Sequence, residues 1–416
     1  MADVTMNARA SNVEIATREV LSRLRQVPAT ARIAFRMLLK IRIGTLKVSL
    51  PNGKALLFEG GEPGPNAEFV IHDYRCIGRA AAGGDIGFAE GYMANQWDTP
   101  DLTALLELFS SNLDNQPNLA KGGPVQRFVH WIYHRMRPNT RKGAKKNIEA
   151  HYDLGNDFYE QWLDPTMTYS SARFESESQS LEDAQRSKYR QLAEMIGLEK
   201  DHHVLEIGCG WGGFAEYAAR DVGARVTCLT LSPSQREYAI ERMERLQLSD
   251  RVEIKLQDYR DETGTYDRVA SIEMFEAVGQ EYWPSFFSKV SEVLKPGGQA
   301  GLQIISIRDD IFDSYSKRAD FIQRYIFPGG ILPSMEKLNA EFDKAKLALK
   351  TAESFALDYA RTLAEWHERF EEKWDTIRPM GFDERFRRMW KFYLSYCEAG
   401  FKTGRIDVAQ YALAKS

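Results

Sequence analysis

Val204-Leu205-Glu206-Ile207-Gly208-Cys209-Gly210-Trp211-Gly212-Gly213 is an apolar run that ends on an acid and a cluster of glycines. Residues 202–208 read as a short buried strand and residues 214–222 as a helix, so the glycines fill a strand-to-helix turn. Such a turn lets the backbone approach a ligand closely and aims helix N-terminal amides at it. A glycine pattern alone does not name the ligand, because dinucleotide-binding domains use the same device.

Outward from the turn, strands at 225–231, 251–258, 267–274 and 299–307 alternate with helices at 234–248 and 285–294. That alternation implies right-handed β-α-β crossovers and an α/β fold with a doubly wound, mostly parallel sheet. The part from 335 to 405 reads mainly helical. Two details choose among ligands. Glu206, just before the first glycine, can counter the ammonium of a methionine moiety; the bland alternative is a surface carboxylate. The second strand ends Thr230-Leu231-Ser232 with Gln235 beyond, where a nicotinamide ribose would call for an acid. The third ends at Asp258-Tyr259, where an adenine edge is read. The set favours S-adenosylmethionine.

The chain has 416 residues, a formal net charge of -4, 43% hydrophobic and 27% charged residues. This is ordinary for a soluble globular protein and gives no global electrostatic case for nucleic acid. Cys76, Cys209, Cys228 and Cys397 are far apart, which fits reduced thiols and neither a disulfide framework nor a metal site. The N-terminus lacks the apolar core of a signal peptide, and no apolar run approaches the roughly 20 residues of a membrane span. Contact with a membrane is therefore expected from the cytosolic face.

Upstream, residues 11–42 read as helix with a break at Pro28, followed by a hairpin across Pro51-Asn52-Gly53 and a third strand at 67–73. Helical patterns cover 86–92 and 102–109. Three parts are expected: a mixed α+β domain at 1–115, a basic amphipathic connector at 116–147, and a catalytic domain at 148–416. The connector places Phe128, Trp131, Ile132 and Tyr133 beside Arg135, Arg137, Arg141, Lys142, Lys145 and Lys146. It suits either an anionic lipid surface or a domain-linking helix with a solvated basic face.

Several further motifs resemble the cyclopropane-fatty-acid synthase family, which includes the mycolic acid methyltransferases. They are His151-Tyr152-Asp153-Leu154-Gly155-Asn156-Asp157, Met167-Thr168-Tyr169-Ser170, the glycine turn, and Met274-Phe275-Glu276 with Val278-Gly279. Tyr325-Ile326-Phe327-Pro328-Gly329-Gly330 and Leu394–Phe401 complete the match, which runs from about 147 to 412. Gly87–Met93 with Trp97 resembles the family's N-terminal lipid-binding part. The resemblance implies a Rossmann-like class I methyltransferase domain with a helical C-terminal elaboration. In it Tyr169 and Ser170 hold the donor's carboxylate end, and Gly208 and Gly210 pack on the donor. Thr230, Leu231 and Gln235 hold the ribose region, and Asp258 with Tyr259 the adenine.

It also implies an acceptor: the double bond of an unsaturated acyl chain in a membrane phospholipid, met peripherally at the inner membrane face. A homodimer is admitted. Methyl attack leaves a carbocation, for which Tyr325, Phe327, Tyr359, Trp366 and Tyr393 are candidate aromatic neighbours. Cys397 stands where the family carries a cysteine linked to activity; a small buried hydrophobe is the alternative. In the family a bound bicarbonate removes the proton, held by a cysteine, a glutamate, a histidine, a backbone amide and a tyrosine. Glu276, the Ile305 amide and Tyr359 match. The cysteine is Ser171 and the histidine Gln303, which can donate hydrogen bonds but carry no proton near neutral pH. These departures leave methyl transfer intact and set a cyclopropane against a methyl-branched or methylene product. Competing classes are a C-methyltransferase of soluble small molecules and a catalytically silent lipid-binding protein.

Overall fold

The computed structural model describes residues 13–113 and 154–415, which fall into two units. One holds the residues up to 113 together with Glu384–Ala399; the other holds 154–383 and the chain from Gly400 onward. The connector expected at 116–147 and the His151-Tyr152-Asp153 half of its motif lie outside the described residues.

In the first unit the described strands are β1 (Val13–Ile15), β2 (Ile43–Ser49), β3 (Ala55–Glu59), β4 (Glu62–Ile71) and β5 (Trp97–Asp98). They form one sheet in the order β1-β3-β2-β4-β5. β2 and β3 are the expected hairpin, closed by Gly53 at φ +82. The helical reading of 11–42 with its break at Pro28 gives two helices, Arg18–Arg23 and Ala29–Leu38, but its first residues, Val13–Ile15, form β1 instead. Val13–Ile15 pairs in parallel with Ala55–Leu57, Thr17 caps the first helix, and Pro28, which cannot continue a helix, precedes the second.

Glu384–Ala399 interrupts the continuous 148–416 domain expected from sequence. Arg388 donates to the carbonyls of Tyr92 (2.6 Å) and Trp97 (3.0 Å), and the Thr103 hydroxyl donates to buried Glu398 at 2.8 Å. Phe392 packs among Phe88, Tyr92 and Trp97.

The second unit is built on β6 (His203–Ile207), β7 (Arg225–Thr230), β8 (Val252–Leu256), β9 (Tyr266–Ile272), β10 (Leu294–Ile307), β11 (Leu347–Ser354) and β12 (Ile406–Lys415). Their order is β11-β12-β10-β9-β6-β7-β8. β10, β9, β6, β7 and β8 run parallel, whereas β12 runs antiparallel between β10 and β11. This is the doubly wound sheet expected from the alternation. Leu205, Ile207 and Val269 face a core with Phe275, Phe286 and Phe287; Val204, Val226 and Ala270 face a second with Phe214, Ala239 and Leu192. β11 corrects the mainly helical reading of 335–405. Its residues are mostly exposed, so no apolar stripe marks them, and pairing with β12 makes the strand. Among the described residues no helix is long and apolar enough to cross a membrane, and no cluster of three potential ligands could hold a metal.

Candidate active site

The strand order reverses at β6, and ligands in open α/β sheets bind beyond the carboxyl ends of strands at such a point. Gly208, Gly210 and Gly212 there take φ of +82, +52 and +85, the left-handed region that favours glycine. The amides of Gly208 and Cys209 both donate to the Leu229 carbonyl, tying the turn to β7. A Cβ on Gly208 would lie 2.5 Å from Met274 Cγ, whereas one on Gly210 would meet nothing within 4 Å. The turn is thus packed on one side and open on the other. Arg242, itself buried, pairs with Glu216 at 2.5 Å and donates to the Thr166 (2.7 Å) and Trp211 (3.3 Å) carbonyls, fixing turn and neighbouring loop together.

Glu206 is 3% exposed and so is no surface carboxylate. Its acceptor faces the Cys228 thiol at 3.6 Å, and burial pushes its carboxyl up to about 8. Thr230 donates to Gln235 Oε1 at 3.1 Å, and Ser232 caps the helix Pro233–Arg245 at the Gln235 amide. Leu231 between them is half-buried. Beyond β8, Asp258 is gripped by Arg260 through Nε (2.8 Å) and Nη2 (2.6 Å). The Tyr259 ring packs edge-on to Phe286, and burial pushes its phenol up to about 12. An open glycine turn, a buried acid and hydrogen-bonding groups at the ends of three adjacent strands fit a sulfonium donor with a ribose and an adenine.

The loop Tyr169–Ser171 lies against the helix Leu181–Met195. Ser170 Oγ accepts from Lys188 Nζ at 2.7 Å, and Tyr169 sits among the rings of Tyr159, Trp162, Phe327 and Trp366. Sequence reasoning passed over Lys188. It is fully buried on the stripe Leu181, Ala184, Lys188, Leu192, and a lysine at helical spacing on an apolar stripe is the signal that could have found it. Burial pushes its ammonium down to about 7, against the pull of Glu273, Asp164 and Glu206.

Two carboxylates stand on the turn after β9. Glu276 Oε1 accepts the Ile305 amide at 2.6 Å, while Oε2 is buried with no hydrogen-bond partner. That amide is free because the β9–β10 ladder ends at Ile272 and Gln303, two residues earlier. Burial, then repulsion from Glu273, pushes the Glu276 carboxyl up to about 8.

Glu273, not singled out from sequence, is the hub. Its Oε1 accepts from the Ser171 amide (2.9 Å) and Gln303 Nε2 (2.7 Å), and its Oε2 from the Tyr359 hydroxyl (2.6 Å). Burial raises its carboxyl, opposed by the Tyr359 hydrogen bond and Lys188. Like Glu206 it is an acid at the carboxyl end of a parallel strand, and that position was its signal. Ser171 contributes its backbone amide; its hydroxyl donates instead to the Ala172 carbonyl at 2.8 Å. Tyr359 is positioned because its helix Ala356–Glu372 accepts the Ala172 amide at Thr362 and the Phe174 amide at Asp358. Its ring stacks on Phe401 at 4.4 Å and meets Trp366 edge-on, which continues to Tyr169 and Phe327 as one aromatic arc.

The structure therefore brings Ser171, Gln303 and Tyr359 together, and the Ile305 amide meets Glu276. However, the donors that the resemblance reserves for bicarbonate are engaged by the chain's own carboxylates, and a separate anion does not fit that donor set. Tyr325 packs on Phe321, and Tyr393 and Cys397 belong to the first unit.

The mycolic acid cyclopropane synthetase family model matches residues 139–411. The chain is 39% identical over 356 residues to tuberculostearic acid methyltransferase UfaA1 of Mycobacterium tuberculosis, covering 82% of this chain and 81% of that one. It is 34% identical over 339 residues to the cyclopropane-fatty-acyl-phospholipid synthase of Escherichia coli, covering 80% and 84%. Mycolic acid cyclopropane synthase CmaA1, solved with SAH and CTAB, superposes with a TM-score of 0.62 at 30% identity over 65% of this chain and 98% of that one.

Proposed function

The chain belongs to the mycolic acid cyclopropane synthetase family, and from that premise we propose that it methylates the double bond of an unsaturated acyl chain in a membrane phospholipid. S-adenosylmethionine supplies an electrophilic methyl on a sulfonium. Glu206, Gly208 and Gly210, Tyr169 and Ser170, Thr230, Leu231 and Gln235, and Asp258 with Tyr259 hold it.

One observation carries the acceptor. The carboxylate pair Glu273 and Glu276 lies beside the aromatic arc of Phe401, Tyr359, Trp366, Tyr169 and Phe327. An alkene is a weak nucleophile, so the arc must hold it in line with the donor at near-attack distance. Attack builds positive charge on the chain, and ring faces and carboxylate oxygens stabilise developing cations. A soluble oxygen or nitrogen nucleophile would need neither. The cation then loses a proton to give a cyclopropane or a branched chain that bears a methylene.

The enzyme works peripherally at the inner membrane face, which salt-sensitive binding to anionic liposomes tests. The activity test is purified protein, donor and liposomes of unsaturated phospholipid. The expected product is a lipid heavier by one methylene, whose upfield proton resonances identify a ring. Donor binding without any gain in lipid mass would refute the lipid assignment.

A further inference from the structure

We propose that Glu273 is this chain's built-in base: its carboxylate occupies the anion seat made by Ser171, Gln303 and Tyr359 and takes the proton from the acyl cation, so that no bicarbonate is required. The inference rests on the lipid reading above and deepens it.

Three donors from three distant segments meet this one side chain: a loop amide, a strand amide group and a helix phenol, at 2.9, 2.7 and 2.6 Å. The orientation of Gln303 is set from behind. The Lys188 carbonyl can only accept, so Gln410 presents its amide protons to that carbonyl and to Gln303 Oε1. Gln303 and Gln410 are directly paired across β10 and β12, and Gln303 is left with its own NH2 on Glu273. The backbone of Glu273 is left-handed, with φ +50, a conformation a glutamate seldom adopts unless its surroundings hold it. The carboxylate is thus built into place rather than resting there.

The chemistry also says which of the two acids is the base. Two neighbouring carboxylates do not both ionise readily. Glu276 has one donor and an orphaned oxygen, and its carboxyl is pushed up to about 8, so it keeps its proton near neutrality. Glu273 has three donors and the buried Lys188 ammonium acting on it, which favours the charge there. Ser171 and Gln303 cannot carry a proton, so among the groups that meet in this seat the ionised carboxylate is the acceptor.

The step balances without a further reactant. Methyl transfer makes a carbon–carbon bond to one alkene carbon and leaves its neighbour cationic. A C–H bond of the added methyl then breaks and the proton goes to Glu273. The electron pair closes the ring onto the cationic carbon. Alternatively, a hydride first shifts so that the methyl-bearing carbon is the cation, and the pair forms a carbon–carbon double bond to the former methyl carbon. Glu273 returns the proton to solvent.

The test compares the parent with Glu273→Gly, which suits the left-handed backbone and opens a carboxylate-sized gap, and Glu273→Gln, which keeps the volume. Lipid product is followed in carbon-dioxide-free buffer, and binding of 13C-bicarbonate is followed by carbon NMR. The parent should turn over fully without bicarbonate and show no saturable bicarbonate binding. Both variants should bind the methyl donor as the parent does and lose turnover by about a hundredfold or more. Formate or bicarbonate, but not chloride, should restore Glu273→Gly, and bicarbonate should bind it saturably. A parent that needs or binds bicarbonate, a Glu273→Gln enzyme that keeps its turnover, or rescue by chloride as well as by formate overturns the assignment. A parent that forms no lipid product at all overturns the reading on which it rests instead.

Discussion

Tyr359→Phe removes one oxygen from the site and little else. The ring keeps its stack on Phe401 at 4.4 Å and its edge contact with Trp366, so packing is preserved. What goes is the 2.6 Å hydrogen bond to Glu273 Oε2, one of the three that favour the ionised form. A hydrogen bond to a charged group contributes about 1.5–3 kcal/mol, and a pKa unit corresponds to about 1.4 kcal/mol. Losing this hydrogen bond should therefore push the Glu273 carboxyl, already raised by burial, further up. A base must be ionised to work, so the acid limb of the rate profile moves to higher pH. The assay is lipid product formation from unsaturated liposomes between about pH 6 and 9, at saturating donor. Near neutrality the variant should be about tenfold or more slower, and it should approach the parent at the alkaline end. A limb that stays in place, or a loss equal at every pH, would refute the argument that Tyr359 tunes the base.

Glu276→Gln should bind the methyl donor normally and, because the carboxyl it replaces keeps its proton near neutrality, should cost far less turnover than Glu273→Gln in the liposome assay. It should also gain stability relative to the parent as pH rises. A carboxyl held up to about 8 keeps a proton that the unfolded chain has lost, so parent stability falls from the ordinary carboxylate range up to about 8. Melting curves across that window check this. Gly208→Ala should destabilise the second unit by roughly 1–2 kcal/mol of left-handed backbone strain plus about 1–3 kcal/mol of crowding against Met274. Gly210→Ala, which meets no atom, should cost only the strain yet weaken donor binding, as urea midpoints and donor titrations would reveal. Lys188→Met removes the buried cation facing Glu206, Glu273 and Asp164, and should lower stability by about 3–5 kcal/mol. Unchanged thermal unfolding would show that Lys188 is not needed to balance those acids.

The buried stretch before Gly208 and the repeated strand–helix alternation were legible because burial patterning is local. The positions proposed for the donor could be picked out too, since Glu206, Thr230, Gln235 and Asp258 sit at or just beyond strand ends in order. Residues 13–15 and the β11 region were misread for the opposite reason. Val13–Ile15 and Leu347–Ser354 owe their strand form to partners distant in sequence, with little in their own residues to impose it.

What the sequence determined by itself was a parallel sheet, a glycine turn for a methyl donor, and the identities of Ser171, Glu276, Gln303 and Tyr359. What only the tertiary structure decided was where their hydrogen bonds go. Two of the decisive donors, the amides of Ser171 and Ile305, are backbone groups that every non-proline residue carries, so no letter in the sequence marks them. Strand register leaves the Ile305 amide to Glu276, and the left-handed backbone at Glu273 sets its carboxylate among the other donors.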